Sequence, residues 1–322
     1  MEIFSLILIA IITFLPILLW GYIFSYLDNS PLGARRFGLG IIAGAISVVP
    51  VLFMKEIMDF VSLVHWNIFP LLISGDNEMG IMLSLFVTIG VIAVSIFVFS
   101  LGFFSLNMAK VWRILLRNTN ILLFIGVLFT LFHLILFKLD IFNAPLSSNG
   151  VTMAGTVFGT LKLVLFYYII IAIIEESSKH FSVLSSSFPY IDSVKKGVLF
   201  SVFIALGFGF IENILYLKNG AEQSGLWSSG VLTTWIFRSI FSLMTHVICS
   251  VIVGLYFSRA FLSYTTLPKI IPYVKTFLYG FLFSILIHAI FDISLTVGFT
   301  GIIFIYFFGS YLGITRIFYE EE

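Results

Sequence analysis

Long apolar runs separated by short polar joints dominate the chain, and a hydrocarbon core of roughly 30 Å needs about 20 apolar residues per helix. By that measure the pattern predicts an all-α, polytopic transmembrane helix bundle of about nine spans. Their centres fall near Thr13, Val48, Ala93, Leu128, Ile171, Ala205, His246, Leu286 and Phe308. The first run, FSLILIAIITFLPILLWGYIFSYL, is too long for a cleaved leader and has neither a basic start nor a small-residue cleavage site, so it is read as a retained span. The stretch after Phe53 carries Glu56, Asp59, His65 and Pro70. It reads as an amphipathic element lying in the interface rather than as a further span.

Composition strengthens this picture. The chain is 60% hydrophobic and 10% charged, with a mean hydropathy of +1.13. Such values define an integral membrane protein and leave no segment resembling a soluble domain. A formal charge of +1 predicts no nucleic-acid partner, so the expected surroundings are the lipid bilayer. The single cysteine, Cys249, excludes an intramolecular disulfide.

Cations alternate between joints, with Arg35/Arg36, Lys110/Arg113/Arg117, Lys195/Lys196 and Arg259/Lys269/Lys275 on one side. Asp59, Asp76 and Glu78 collect on the other. The positive-inside rule then places the N-terminus outside and the C-terminus in the cytoplasm. No internal repeat, low-complexity linker or Gly-rich phosphate loop divides the chain. Its organisation is read as a four-span N-terminal membrane region of unknown role, residues 1–150, followed by a motif-bearing membrane core, residues 151–322.

Within the run LVLFYYIIIAIIEESSKHFSVLSSSF lie two adjacent glutamates, Glu175 and Glu176. Ionisable groups at membrane depth are costly and mark function. Two helix frames compete. One, from Met153 to Ile174, leaves the glutamates solvated at the surface and buries Lys162. The other starts after Lys162, stops at Phe188 before the helix-breaking Pro189, and puts the pair at its midpoint with Lys162 snorkelling at the interface. The second frame is preferred, because further polar groups recur on the next three spans. Glu212 lies roughly 23 Å from the start of its helix at Gly197, at 1.5 Å per residue. Arg238 and His246, then His288 and Asp292, fall at comparable heights on theirs.

Helical spacing indicates which groups cooperate. Glu175 and Lys179 are four apart, so the ammonium is expected to keep that carboxylate ionised. Glu176 projects about 100° away and is expected beside His180. Asp292, four beyond His288, is expected to bond one imidazole nitrogen and set the tautomer. Ser239, Ser242, His246, Cys249 and Ser250 form a mildly polar stripe. Paired carboxylates with imidazoles nearby suit activation of water and protonation of a leaving amine.

The residues also carry a resemblance. Glu175-Glu176-Ser177-Ser178-Lys179 matches EExxK, Phe208 to Glu212-Asn213 with Tyr216 matches FxxxEN and a tyrosine, and His288 to Asp292 matches HxxxD. With Arg238, His246 and Gly254 between them, this ordered set resembles the PrsW family of glutamic-type intramembrane proteases, in a wider clan with the CAAX prenyl endopeptidases and the gamma-secretase scaffold subunit. The resemblance covers roughly residues 150 to 300.

It implies hydrolysis of a peptide bond in a membrane-anchored protein substrate, typified by site-1 cleavage of an anti-sigma factor, in a bacterial plasma membrane. Carried over by residue, it implies that Glu175 polarises the water and Glu176 passes a proton. Glu212 stands where CAAX enzymes have a histidine. His288, oriented by Asp292, would stabilise the oxyanion or donate to the leaving group. Lys179, Arg238, His246 and Asn213 would support the site, while Phe208 and Tyr216 would pack against it. No cofactor is expected. Glu175, Glu212, His246 and His288 could nonetheless supply oxygen and nitrogen ligands to zinc, although no HExxH motif is present. A proton-coupled transporter would also place acids and histidines at the midplane, yet the inverted repeats typical of that class are missing. A non-catalytic scaffold would be expected to lose the paired glutamates.

Overall fold

The computed structural model describes residues 3–26, 34–54, 56, 151–153, 156–158 and 161–320. The chain divides into two compact units, Met1–Pro50 with Ile171–Glu322, and Val51–Ile170. Among the described residues of the second unit is an antiparallel hairpin of β1 (Val151–Met153) and β2 (Thr156–Phe158), with Val151 opposite Phe158. Its valines and threonines are the residue types that favour a pleated backbone.

The larger unit is built from helices. In chain order these are α1 (Ile3–Ser25), α2 (Ala34–Ile46), the one-turn α3 (Val49–Leu52), α4 (Leu161–Ser186), whose first turns precede the unit boundary, and α5 (Val194–Ser224). Then come α6 (Ser229–Phe237), α7 (Leu243–Thr266), α8 (Ile270–Thr296) and α9 (Ile302–Glu320). A single π-helical turn, Arg238–Ser242, joins α6 to α7 without a break, so the two form one 38-residue rod.

Five helices among the described residues are long and apolar enough to cross a membrane: α1, α5, the α6–α7 rod, α8 and α9. The chain is an integral membrane protein. The spans expected near Ala93 and Leu128 lie outside the described residues, as do the side chain of Lys162 and nearly all of the interfacial element after Phe53. The cation-bearing joint at Lys110 to Arg117, on which the expected orientation leans, lies outside them too. Around Val48 α2 ends at Ile46, and among the described residues the apolar stretch Arg36–Leu52 is shorter than a crossing length. Pro50 lacks a backbone donor there, and the Ser47 hydroxyl turns back to the Gly44 carbonyl at 2.6 Å.

Burial ranks the helices. In their apolar windows α5 and the α6–α7 rod are each 78% buried whereas α1 is 17% buried, so those two are central and α1 faces outward along most of its length. The α5 helix packs against α7, α2, α1 and α6, and α7 packs in turn against α8 and α9. Close approach of α2 to α5 depends on missing side chains. A Cβ on Gly44 would meet the Ile204 carbonyl oxygen at 2.0 Å, and one on Gly207 would meet that of Ile41 at 2.0 Å. Small residues at such crossings are how apolar helices associate where lipid offers no hydrophobic drive. Gly254 does the same between α7 and α5, where a Cβ would stand 2.4 Å from the Ser201 hydroxyl. A Ser193 cap, accepting from the Lys196 amide at 3.3 Å, starts α5 after the turn at Phe188–Tyr190.

Candidate active site

The helix α4 ends at Ser186, just ahead of Pro189, and so carries its glutamates near its middle. Glu175 and Glu176 are 4% and 1% exposed, which accords with the second of the two helix frames. The Ser177 hydroxyl turns back to the Ile173 carbonyl, and that of Ser178 to Glu175 at 3.1 Å, so both serines satisfy themselves within the helix.

Glu176 is fully engaged. Lys179 Nζ lies 2.5 Å from its Oε1, His288 Nδ1 donates to the same oxygen at 2.7 Å, and the Ser284 hydroxyl reaches Oε2 at 3.1 Å. This corrects the expected pairing, since Lys179 bridges to Glu176 three residues back rather than to Glu175 four back. It also removes His180 from the partnership with Glu176. The His180 ring turns instead into aromatic packing, 4.9 Å from Phe257 and 4.7 Å from Phe277 between ring centres. The cause is α8, whose His288 and Ser284 draw Glu176 toward that helix.

A second cluster forms where α5 meets the π-helical turn. Glu212 Oε2 forms an ion pair with Arg238 Nη2 and accepts from His246 Nε2, each at 2.7 Å, while Arg238 Nε donates to Asn213 Oδ1 at 2.9 Å. The guanidinium lies over Tyr216, 3.7 Å from the ring centre. Single π turns recur at functional sites; here one places Arg238 against the paired Glu212 and Asn213. Phe208 packs one turn away, 5.2 Å from the His246 ring and 5.0 Å below the Lys179 ammonium.

Between the clusters stands Glu175. Its Oε2 is buried without a hydrogen-bond partner among the described residues, 3.6 Å from His288 Nε2 and 3.9 Å from His246 Nδ1. Each imidazole therefore has one nitrogen held by a carboxylate and presents the other toward Glu175. The two rings meet nearly edge to face, 5.1 Å apart. Asp292 does not set the His288 tautomer as expected, because Glu176 already holds Nδ1. Asp292 stands instead 3.5 Å from Nε2, on the more open side of the chamber.

Among the described residues, charge in this chamber is uncompensated by fixed groups. Four carboxyl groups (Glu175, Glu176, Glu212 and Asp292) meet two permanent cations, Lys179 and Arg238, which leaves an excess of two negative charges if both imidazoles are neutral. At this burial such an excess must be offset by protons or by a cation. The donor set suits a divalent ion, since one ligand atom from each of Glu175, His246 and His288 lies within 4.8 Å of the others. Carboxylates behind both imidazoles are the usual outer partners of metal-bound histidine. A second grouping, Glu176, Cys249 and His288, suits an ion less well, because the Lys179 ammonium already occupies Glu176.

Sequence reasoning missed Ser284. It lies one turn before His288, with its hydroxyl near both Glu176 and the Cys249 carbonyl at 3.0 Å. The four-residue spacing was its one signal, and serines are too common in apolar helices for that to stand out.

The fold and site thus define a class: a multi-pass membrane protein whose helices gather carboxylates and imidazoles around one buried carboxyl oxygen. Comparison with known sequences gives the family. Residues 110–315 match the PrsW family intramembrane metalloprotease, and the chain belongs to that family. Among similar proteins, Protease PrsW of Geobacillus kaustophilus is 35% identical over 92 residues, 28% of this chain and 36% of the relative. That of Oceanobacillus iheyensis is 30% identical over 128 residues, 39% and 52% of the two chains. That of Clostridioides difficile is 27% identical over 177 residues, 54% and 63%. The chain thus spans about a third to just under two thirds of the length of the curated relatives it matches. No solved structure matches it. The family match begins forty residues or so ahead of the boundary expected near residue 150, while α1 and α2 lie outside it and pack on α5.

Proposed function

We propose that the protein is an intramembrane endopeptidase that hydrolyses a peptide bond of a membrane-anchored protein, with Glu175 as the group that deprotonates the attacking water. One observation carries this reading: among the described residues, Glu175 Oε2 is the buried carboxyl oxygen left without a hydrogen bond, and two oriented imidazoles face it. Family membership supports the reaction class.

The roles divide by engagement. Glu175 accepts the proton of a water lodged between it and the imidazoles. His288, its Nδ1 held by Glu176, points Nε2 at the reacting atoms; once Nε2 carries the proton that Glu175 took from the water, the imidazolium stabilises charge on the carbonyl oxygen and then protonates the amine that leaves. Asp292, beside the same nitrogen on the open side, returns protons to it. Glu212, with Arg238 and Asn213, holds His246 at its Nε2. Lys179 and Ser284 hold Glu176. The four glutamate and aspartate groups are therefore not equivalent, since Glu176 and Glu212 position and Glu175 reacts.

A metal-dependent version of the same hydrolysis is the second reading, favoured by the excess negative charge and by the carboxylates behind both histidines. Glu175, His246 and His288 would hold the ion, whose chemistry is that of a Lewis acid on water and on the scissile carbonyl. Against it, the Lys179 ammonium stands 3.4 Å from His246 Nδ1 and competes for that lone pair.

The surroundings proposed are a bacterial plasma membrane, and the cut proposed is a site-1 type cleavage of an anti-sigma-factor-like substrate. The test uses purified full-length protein in detergent and a single-span substrate, comparing wild type with Glu175→Gln and His288→Ala. Normal cutting by both variants would sink the proposal. Chelation and elemental analysis separate the two versions: activity that survives metal removal belongs to the glutamate, and activity lost on chelation and restored by zinc belongs to the ion.

A further inference from the structure

A small cavity opens on the side of the glutamates nearer the turn between α4 and α5. It is lined by Glu176, Lys179 and His180 of α4, Ser201 of α5 and Ser250 of α7, with apolar walls from Val183, Ile204 and Val253. About 10 Å³ is open to the centre of a water, which is room for one molecule. Three polar atoms here find no partner among the described residues: both ring nitrogens of His180 and the Ser250 hydroxyl. His180 and Ser250 are 2% and 4% exposed. Phe257 and Phe277 pack against the imidazole, and the cavity gives it a polar surface beside them. Two turns further along α7, the Ser258 hydroxyl is also buried and without a partner among the described residues, pressed against α5 at Gly197.

Apolar cavities of this size stay dry, whereas cavities with several unsatisfied polar groups hold water. A leucine or phenylalanine at position 180 would fill the aromatic pocket without leaving polar atoms stranded. We propose that this cavity is a bound-water site, in which His180 and Ser250 hold a water against the Glu176–Lys179 ion pair, and that Ser258 extends the polar file toward the α4–α5 turn. The site lies apart from the oxygen of Glu175 that faces the imidazoles. Its use is resupply, because each bond hydrolysed consumes a water from a chamber whose glutamates and histidines are buried. That use rests on the hydrolase reading, whereas the hydration itself does not.

X-ray radiolysis of the full-length protein in oxygen-18 water, read by mass spectrometry, tests it, because side chains beside bound water are oxidised even when shielded from bulk solvent. His180 is expected to take up labelled oxygen several-fold faster than Phe200, which is equally buried but away from the cavity. Ser250→Val, which fills the space, is expected to cut His180 labelling several-fold without changing that of exposed Tyr216. A wild-type His180 labelled no faster than Phe200 overturns the proposal, as does labelling indifferent to Ser250→Val. The first comparison needs no variant to fold. A protein that labels as expected yet cleaves nothing keeps the water site and loses only the hydrolase reading.

Discussion

His288 donates its Nδ1 hydrogen to Glu176 Oε1 at 2.7 Å, across 112 positions of sequence. That bond sets the tautomer, and with it the direction in which Nε2 points, toward Glu175 and Asp292. The two adjacent glutamates are therefore separated in role by a helix neither belongs to.

Replacement of Glu175 by glutamine keeps the shape and removes the base. Because its Oε2 makes no hydrogen bond, thermal stability is expected to change little while cleavage falls by about two to four orders of magnitude, the range for a lost general base. Turnover on a single-span substrate, measured beside a melting curve, checks both halves. A stable variant with wild-type turnover would remove Glu175 from the mechanism.

Lys179 and Glu176 form an ion pair at 2% and 1% side-chain exposure. Lys179→Met strands a buried carboxylate and is expected to cost about 3–5 kcal/mol of stability. Adding Glu176→Gln should restore part of that loss, because the stranded charge goes with it. Unfolding of the two single variants and the double variant measures the coupling. Strictly additive losses would show that the pair is not coupled.

Arg238 holds Glu212 and Asn213 with separate nitrogens and stacks on Tyr216. A lysine there retains the charge but not the fork. Arg238→Lys is expected to lower kcat about tenfold, the equivalent of one charged hydrogen bond. Asn213→Ala acts on the same arrangement, so the double variant should be little worse than Arg238→Lys alone. Multiplicative losses would count against a shared role.

Two glycines of α2 make opposite cases. At Gly44 a Cβ would stand 2.0 Å from the Ile204 carbonyl oxygen, whereas at Gly38 nothing lies within 4 Å. Gly44→Ala is expected to destabilise by about 1–3 kcal/mol through forced separation of α2 and α5. Gly38→Ala should be neutral or slightly stabilising, since alanine loses less backbone freedom in a helix. Melting temperatures of the pair decide it, and equal effects would contradict the close crossing.

Outside the spans, Lys196 lies 2.6 Å from Asp192 and lowers that carboxyl's pKa by its hydrogen bond. A depressed acid contributes stability above its unfolded pKa, about 3.9, and loses it as pH falls through the folded value. The Asp192 side chain is 66% exposed, so the contribution is expected to stay below about 1 kcal/mol. Asp192→Asn should accordingly leave the melting temperature near wild type at pH 7 and narrow the difference further below pH 4.

The membrane character, the helix end before Pro189, the placement of the acidic pair within a helix and the motif order were all legible in the chain. Each depends on neighbours in sequence: apolar run length, a missing amide donor, or spacing along one helix. Pairing was not so legible. Spacing of four suggested Lys179 with Glu175 and His180 with Glu176. The fold joins Lys179 to Glu176, gives Glu176 to His288, and packs His180 against phenylalanines. Local spacing determines only which side chains share a face, and on α4 several arrangements were sterically open. Which one forms is decided by the helix that packs against that face, and through α5, α7 and α8 only the tertiary structure could leave Glu175 with a buried oxygen that no described residue claims.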